Sequence, residues 1–392
     1  MRKRRRFFVQ AASLACVALL LFGYVALIAV ALGRVAHFVE PHTNLDENFD
    51  LYDYYFRART ERIRMLHGDI LIVNVDSSTR TMRADAIERI LAGAPECVVL
   101  DFYMRPSDTT DLKGMQRINS QIRTNPNVVA AYPLDTVNGR LQPAPGYLAQ
   151  YPHPERFGFW DLQYQPARYT IRKVLMWVEH GNADTAFSLT AQVLRAVDRS
   201  VFKEVTQRSS AVRVNYRQMH EGHPFVTVPI GELLSLEPLE FNKRTHGKIV
   251  FLAKMGERGG NDWHYTPLNE NSFGHAERDM PGVLVHAQTL AMFLNHDTLH
   301  ELALVPSLIL AWLIAFLVGM LLMEIHRRSI VAYAVLKIPI FIVSSLVVLF
   351  AGMWLFERSI MLPFSVLLVP MWLSGEAREI IDDLGKRKTK GP

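Results

Sequence analysis

Apolar positions along the chain come in two textures. Four near-continuous apolar runs, Phe7–Leu32, Leu302–Met323, Ile330–Phe356 and Ile360–Leu373, bracket a long stretch in which short apolar clusters alternate with polar ones. A bilayer core of about 30 Å takes ~20 apolar residues in a helix. Leu302–Met323 carries no charge, and Ile330–Phe356 is interrupted only by Lys337 near its start. Both predict membrane helices. Ile360–Leu373 is shorter and contains Pro363 and Pro370, which kink a helix unless neighbours satisfy the freed carbonyls. Phe7–Leu32 is nearly twice the about 7–15 residues of a signal-peptide core. It predicts an uncleaved anchor, although Ala29-Val30-Ala31 has the form of a cleavage site.

Charge then orients these runs, because cytoplasmic loops are enriched in Lys and Arg. With four spans (7–32, 302–323, 330–356 and 360–373), the cytoplasmic segments are residues 1–6, Glu324–Ser329 and the tail 374–392. They hold five, two and five basic residues. The external turn Glu357–Ser359 holds a single Arg358 beside Glu357. Residues 33–301 are thereby placed outside the cytoplasm, as one domain of a size that buries its own core. Lys337 is expected to snorkel toward the cytoplasmic face.

Within 33–301 the periodicity predicts strands alternating with helices. A short helix is expected over Asp50–Arg57. The strand Ile70–Val75 ends at Asp76, Arg83–Leu91 has helical spacing, and Cys97–Leu100 is a strand ending at Asp101. Leu112–Ile122 reads as a helix and Val128–Ala131 as a strand. Residues 133–172, rich in Pro, Gly, Tyr and Trp, read mainly as loops. Further on come an amphipathic helix over Thr185–Val197, strands at Val212–Val214, Phe225–Val228 and Lys248–Ala253, and a helix Val283–Leu294 opened by Asp279 as cap with Pro281 in its first turn. Strands this apolar on both faces predict an α/β domain with a mostly parallel or mixed sheet flanked by helices.

Composition narrows the function classes. The net charge of +5 is modest and sits beside the apolar runs, which suits membrane topology rather than nucleic-acid binding. Two cysteines, Cys16 and Cys97, offer no disulfide framework, and both read as small buried apolar residues. No nucleophile elbow, P-loop or dinucleotide fingerprint appears; no enzymatic activity, cofactor or metal is expected. His220-Glu-Gly-His223 lacks the zinc-protease spacing, and His296–His300, one helical turn apart beside Glu301, reads as a linker at the membrane entry. Gly256–Gly260 has the wrong spacing for a phosphate loop and reads as a flexible turn. His286 reads as a core hydrogen-bonding residue. Thirteen of the fourteen histidines lie in 33–301, so proton sensing is conceivable chemistry there.

The order of features resembles a type-2 CHASE (CHASE2) sensory domain. The residues that carry the likeness are Asp53–Arg57, Asp69-Ile-Leu-Ile-Val-Asn-Val-Asp76-Ser77-Ser78, Arg83, Val98-Val-Leu-Asp101-Phe102 and Gly247-Lys248-Ile249-Val250. Most specific are Asp262 ahead of Thr266-Pro267-Leu268, and Pro281-Gly-Val-Leu-Val-His286-Ala287. Departures occur before Arg83, where Thr81-Met82 replace a Trp-Pro pair, in 158–172, which lacks a clean D-x-D-G, and at Ala253-Lys-Met-Gly256. The resemblance implies a bacterial inner-membrane sensor with its large domain in the periplasm. Such proteins usually continue into a cyclase or kinase domain, and here about 19 residues follow the last run. Signalling is therefore expected to pass to a separate cytoplasmic or membrane partner. A membrane subunit docking another envelope protein is the second reading.

Candidate ligand residues follow from strand ends. Asp76 and Asp101 each close a strand expected to be parallel, the edge where open α/β sheets bind ligands. The two strands are expected to be neighbours. Arg83 lies close in sequence, and Asp262 follows a later strand. Together they would suit a small polar ligand or a hard cation, whereas Asp76 with Ser77-Ser78-Thr79 would equally serve to start a helix.

Overall fold

The computed structural model describes residues 9, 11–22, 51–61, 67–102, 111–137, 140–143, 154–162, 170–180, 184–208, 210–219, 225–258, 260, 262–269 and 278–375. They fall into two compact units, Asp46–Thr298 and the paired segments Met1–Leu45 and Leu299–Pro392. His220, His223 and half of the first apolar run lie outside the described residues.

In the larger unit the principal elements, in chain order, are α1 (Leu51–Ala58), β1 (Ile70–Asn74), α2 (Arg80–Ala92), β2 (Cys97–Asp101), α3 (Leu112–Thr124), β3 (Val128–Tyr132), β4 (Phe157–Phe159), α4 (Leu189–Val197), α5 (Arg199–Arg208), β5 (Val226–Pro229), α6 (Ile230–Ser235), α7 (Pro238–Thr245), β6 (Ile249–Ala253) and α8 (Gly282–Leu294). The six strands form one sheet in the order β5-β1-β6-β2-β3-β4, every pairing parallel. Burial on both faces explains the unbroken apolar runs. Leu71, Val73, Val98, Leu100, Val250 and Leu252 meet Ile87 and Ile90 of α2, Ile118 and Ile122 of α3 and Phe241 of α7 in one core. On the opposite face α4 packs across β2, β3 and β4 and against α8.

Local chemistry sets the helix starts. The Thr79 hydroxyl accepts the Met82 amide at 3.1 Å, so Thr79 rather than Asp76 caps α2. Asp111 caps α3 from a left-handed backbone, φ 52°. Its carboxylate accepts the Gly114 amide at 3.1 Å, the Thr81 amide at 2.6 Å and the Thr81 hydroxyl at 2.8 Å, pinning the starts of α2 and α3 together. A Cβ on Gly114 would sit 2.4 Å from the Thr81 amide nitrogen, so only glycine permits this crossing.

Several sequence expectations are corrected. Within 133–172, read mainly as loops, the described residues include the antiparallel hairpin Leu134–Val137/Arg140–Pro143 and the sheet-edge strand β4. The helix expected over Thr185–Val197 begins at Leu189; Asp184–Phe187 is instead a strand paired with Trp177–His180, and Ser188 caps the helix. Ala211–Arg213 leaves the main sheet to pair with Lys173–Leu175. Asp279 does not cap α8: Pro281 holds the cap position, with no side-chain bond. His296, at φ 52°, lies beyond α8, and His300 lies in a strand, so the two are not one helical turn apart.

The second unit holds helices Ala11–Phe22, Leu304–Arg328, Ile330–Phe356 and Phe364–Gly375. Leu304–Arg328 and Ile330–Phe356 are long and apolar enough to cross a membrane; the other two described helices are shorter. The run expected as a span over 360–373 divides into Ile360–Met361, paired in parallel with His300–Glu301, and a helix starting after Pro363. That helix lies on Ile330–Phe356: the Phe341 and Trp372 rings stack at 5.0 Å, the Trp372 indole N–H donates to Ser345 Oγ at 2.9 Å, and Gly352 leaves room for the Phe364 ring. Gly319 likewise receives Leu14 of the first helix. Val305, Ile309, Leu313, Leu317 and Leu321 recur every fourth residue and are all exposed, an apolar ridge suited to lipid rather than water. Cys16 is exposed, against expectation, while Cys97 is buried in β2.

Candidate functional site

Register brings Asn74, Ala253 and Asp101 into one row at the carboxyl ends of β1, β6 and β2. The strands ending at Asp76 and Asp101 are therefore not neighbours, because β6 lies between them. Nothing in the spacing of two apolar runs encodes a third strand inserted from 150 residues further along the chain.

The two aspartates also live in different surroundings. Asp76 is exposed, and one oxygen, Oδ2, accepts the Met255 amide at 3.2 Å and the Gly256 amide at 2.9 Å. Asp76 thus holds the turn after β6, where Gly256 adopts φ 63°. Asp101 is half-buried, and among the described residues its carboxyl has no hydrogen-bond partner. Burial first, and the charge of Asp262 second, push it up to about 7. Asp262 is exposed, and its side chain likewise has no bond among the described residues.

Arg83 is engaged by its own turn. Its Nε donates to Ser78 Oγ at 2.9 Å, its Nη2 reaches the carbonyls of Ser78 and Val75 at 3.2 and 3.3 Å, and its guanidinium lies 5.0 Å from the Phe102 ring centre. Burial, and after it the charge of Arg80, lower its pKa. Arg83 shapes the rim and keeps its charge there. Of the four candidates, then, Asp101 and Asp262 face each other electrostatically, while Asp76 and Arg83 build the loops on either side of β1's end.

The two most specific motif pieces form one structure. Trp263–His264 pairs antiparallel with Met280–Pro281, the Gly282 amide donates to the Asp262 carbonyl at 2.8 Å, and the Trp263 indole donates to the Met255 carbonyl at 2.8 Å. Asp279 accepts the Thr266 backbone amide at 2.8 Å, the Thr266 hydroxyl at 2.5 Å and the Asn269 side-chain Nδ2 at 3.3 Å. Burial raises the Asp279 carboxyl, partly offset by these donors. The ribbon therefore fastens the Asp262 loop to the head of α8. In α8, His286 is buried between the Thr190 hydroxyl and the Trp160 carbonyl, both at 3.2 Å, and burial lowers it to about 4. It is a neutral core hydrogen-bonding histidine, as the sequence suggested. His264 packs against Gly282 at the helix start, and burial followed by Arg278 lowers its pKa too.

Sequence reasoning missed a second polar cluster, at the other end of α8. The buried Asp53 carboxylate takes two bonds from Arg172, at 3.0 and 2.5 Å. Arg217 donates through Nε (3.0 Å) and Nη2 to Asp297 Oδ2, and Asn215 sits between the two chain ends. Only Asp53 had been singled out, as part of the family likeness. The pairs Arg59–Asn215 and Arg217–Asp297 join positions 156 and 80 residues apart, so no local pattern could have announced them.

The larger unit is thus a parallel sheet covered by helices on both faces, with Asp101 at its carboxyl edge, the edge at which open α/β sheets bind ligands. A family model for the CHASE2 domain matches residues 25–323. The chain belongs to the CHASE2 family, whose domains are sensory and extracytoplasmic. No curated protein and no solved structure matches it.

Proposed function

We propose that the chain is a membrane-bound sensor, without enzymatic activity of its own, whose α/β domain receives a cationic or proton-donating solute outside the cytoplasm. The observation that carries this reading is Asp101: a carboxyl at the sheet's carboxyl edge, opposed by Asp262 and lacking a bonded donor among the described residues. A buried carboxyl that feels a second carboxylate favours anything that brings positive charge or a proton. Arg83 and Asp76 hold the surrounding turns. Neither a resident cofactor nor a structural metal enters this reading.

In this reading the chain crosses the bacterial inner membrane four times, with residues 33–301 in the periplasm and both ends in the cytoplasm. The basic counts of residues 1–6, 324–329 and 374–392 support it. So do the Leu14–Gly319 and Phe341–Trp372 contacts, which seat the two shorter helices against the long ones. At 1.5 Å per residue Phe364–Gly375 spans only about 18 Å, so crossing would draw on residues beyond it. The response passes to a cytoplasmic or membrane signalling partner. A maleimide that labels a cysteine placed at residue 392 from outside intact cells would overturn the four-span arrangement.

The ligand reading is tested on the full chain in nanodiscs, by thermal unfolding with added Ca2+, Mg2+ or a small diamine. At least one of these should raise the melting temperature of the wild type and leave Asp101→Asn unmoved. Equal shifts in both, or none in either, remove Asp101 from the site. Proteins recovered with the detergent-solubilised chain separate a signalling partner from an envelope assembly.

A further inference from the structure

The two ends of the α/β unit converge on one short segment, Val214–Met219. On the entry side, Arg59 Nη1 donates to Asn215 Oδ1 at 3.0 Å, Thr60–Glu61 pairs in parallel with Gln218–Met219, and Phe56 lies edge-to-face on Tyr216 at 6.2 Å. The Val214 amide donates to the Arg172 carbonyl at 3.0 Å, and the Arg172 side chain grips Asp53 of α1. On the exit side, Asn215 Nδ2 donates to the Asp297 carbonyl at 2.9 Å, and Arg217 holds the Asp297 carboxylate. Asn215 is 2% exposed. Its single amide therefore binds both ends at once, the carbonyl taking the entry and the NH2 taking the exit.

The same segment is bonded to α8. The Arg217 backbone amide donates to Gln288 Oε1 at 2.9 Å, and the Asn215 backbone amide donates to Met292 Sδ at 3.2 Å. The head of α8 is fastened to the Asp262 loop through Gly282, as described above. Helix α8 is buried from Val283 to Phe293 and measures about 20 Å. One stiff element thus touches the carboxyl edge at its start and the junction of the chain ends near its finish. A side chain held on both sides inside a dense interior shifts between discrete arrangements rather than bending gradually.

We infer that Asn215 is a positioning residue that locks the entry and exit segments of the sensory domain to each other, so that a displacement of α8 reaches both membrane-connected ends together. This deepens the sensor reading and rests on it for its purpose, but the lock itself is a property of the folded domain. Asn215→Asp keeps an acceptor for Arg59 and turns a carboxylate toward the Asp297 carbonyl, so it should release the exit alone. Asn215→Leu keeps the volume and releases both.

The test is an inter-label distance measured by pulsed electron resonance on the full chain in nanodiscs. Spin labels go on Tyr54→Cys and His296→Cys, both exposed positions near the two ends, with Cys16→Ala removing the exposed native thiol. The wild-type background should give one narrow distance. Asn215→Asp and Asn215→Leu should lose it, giving a broad or doubled distribution while the circular dichroism of the domain is retained. A narrow, unshifted distance in both folded variants would overturn the inference. So would failure of Asn215→Asp to fold at all, because the residue would then be structural rather than positioning. If the lock behaves as expected and no cation or pH change alters the wild-type distance, the lock stands and the sensor reading falls.

Discussion

The carboxyl edge of the sheet and the junction of the chain ends are both rich in carboxylates, and they treat them in opposite ways. At the junction two carboxylates each meet an arginine: Asp53 is bound two-fold by Arg172, and Asp297 by Arg217. At the edge, burial first and the like charge of Asp262 second drive the Asp101 carboxyl up to about 7. Paired buried charges fix a geometry, and removing one partner is costly. Opposed carboxyls do the reverse, leaving a local free energy that a proton or cation can lower. In the proposed reading one region holds still and the other responds.

The largest effect should therefore come from breaking the quiet region. Arg172→Met removes the two-fold bond to the Asp53 carboxylate, whose residue is only 7% exposed. A destabilisation of about 3–5 kcal/mol is expected, read by chemical denaturation of the full chain in detergent. The double variant with Asp53→Asn should recover part of that loss, since the buried charge that Arg172 balanced is then gone. A single variant within about 0.5 kcal/mol of wild type would mean that the junction does not depend on its ion pair.

Between the two regions, His286 adds a pH dependence of its own. Its folded pKa of about 4 lies below the unfolded value of about 6.5. The folded state thus binds fewer protons across that window, and stability falls as pH drops from about 6.5 toward 4. For 2.5 units the limit is roughly 3 kcal/mol. Asp101 has the opposite sign. Its folded value of about 7 exceeds the unfolded value of about 3.9, so the folded state binds more protons and stability falls as pH rises from about 4 to 7. Allowing for solvent reaching a half-buried carboxyl, the loss is at most roughly 2 kcal/mol. Asp101→Asn should stabilise the chain at pH 8, do nothing at pH 4, and expose the acid-side loss due to His286. Melting curves from pH 4 to 8 check both, and a pH profile unchanged by Asp101→Asn would make the edge as quiet as the junction.

How much of this was legible follows from the kind of signal each element leaves. Strands β1, β2, β3 and β6 announced themselves because burial on both faces demands unbroken apolar runs, and their carboxyl-end aspartates came with them. Strand β4, three residues Phe157–Phe159 among prolines and glycines, is too short to leave a periodicity. Asp279 stands where a cap would stand, yet Thr266 and Asn269 capture its carboxylate, a competition between distant groups that spacing does not record. Sheet order is equally silent, which is why Asp76 and Asp101 were expected side by side while β6 separates them. Asn215 left no trace at all: one polar residue between two apolar ones, made central only by partners 156 and 82 positions away.

The smallest expected effect concerns Asp76, which sits at the responsive edge but behaves like the quiet region. Both amides it accepts, from Met255 and Gly256, converge on the single oxygen Oδ2. An asparagine offers one carbonyl oxygen in the same place, so Asp76→Asn can keep both bonds and needs only to turn its NH2 outward, where this exposed position meets water. Its cost should stay within about 0.5 kcal/mol. Asp76→Ala removes the oxygen, and the two amides of a turn held at positive φ must find water instead, for about 1 kcal/mol. Neither substitution should alter the pH profile assigned to Asp101. Hydrogen exchange at the Met255 and Gly256 amides reads the local effect: protection kept in Asp76→Asn and lost in Asp76→Ala. Protection lost in both would show that charge, and not geometry, holds the turn.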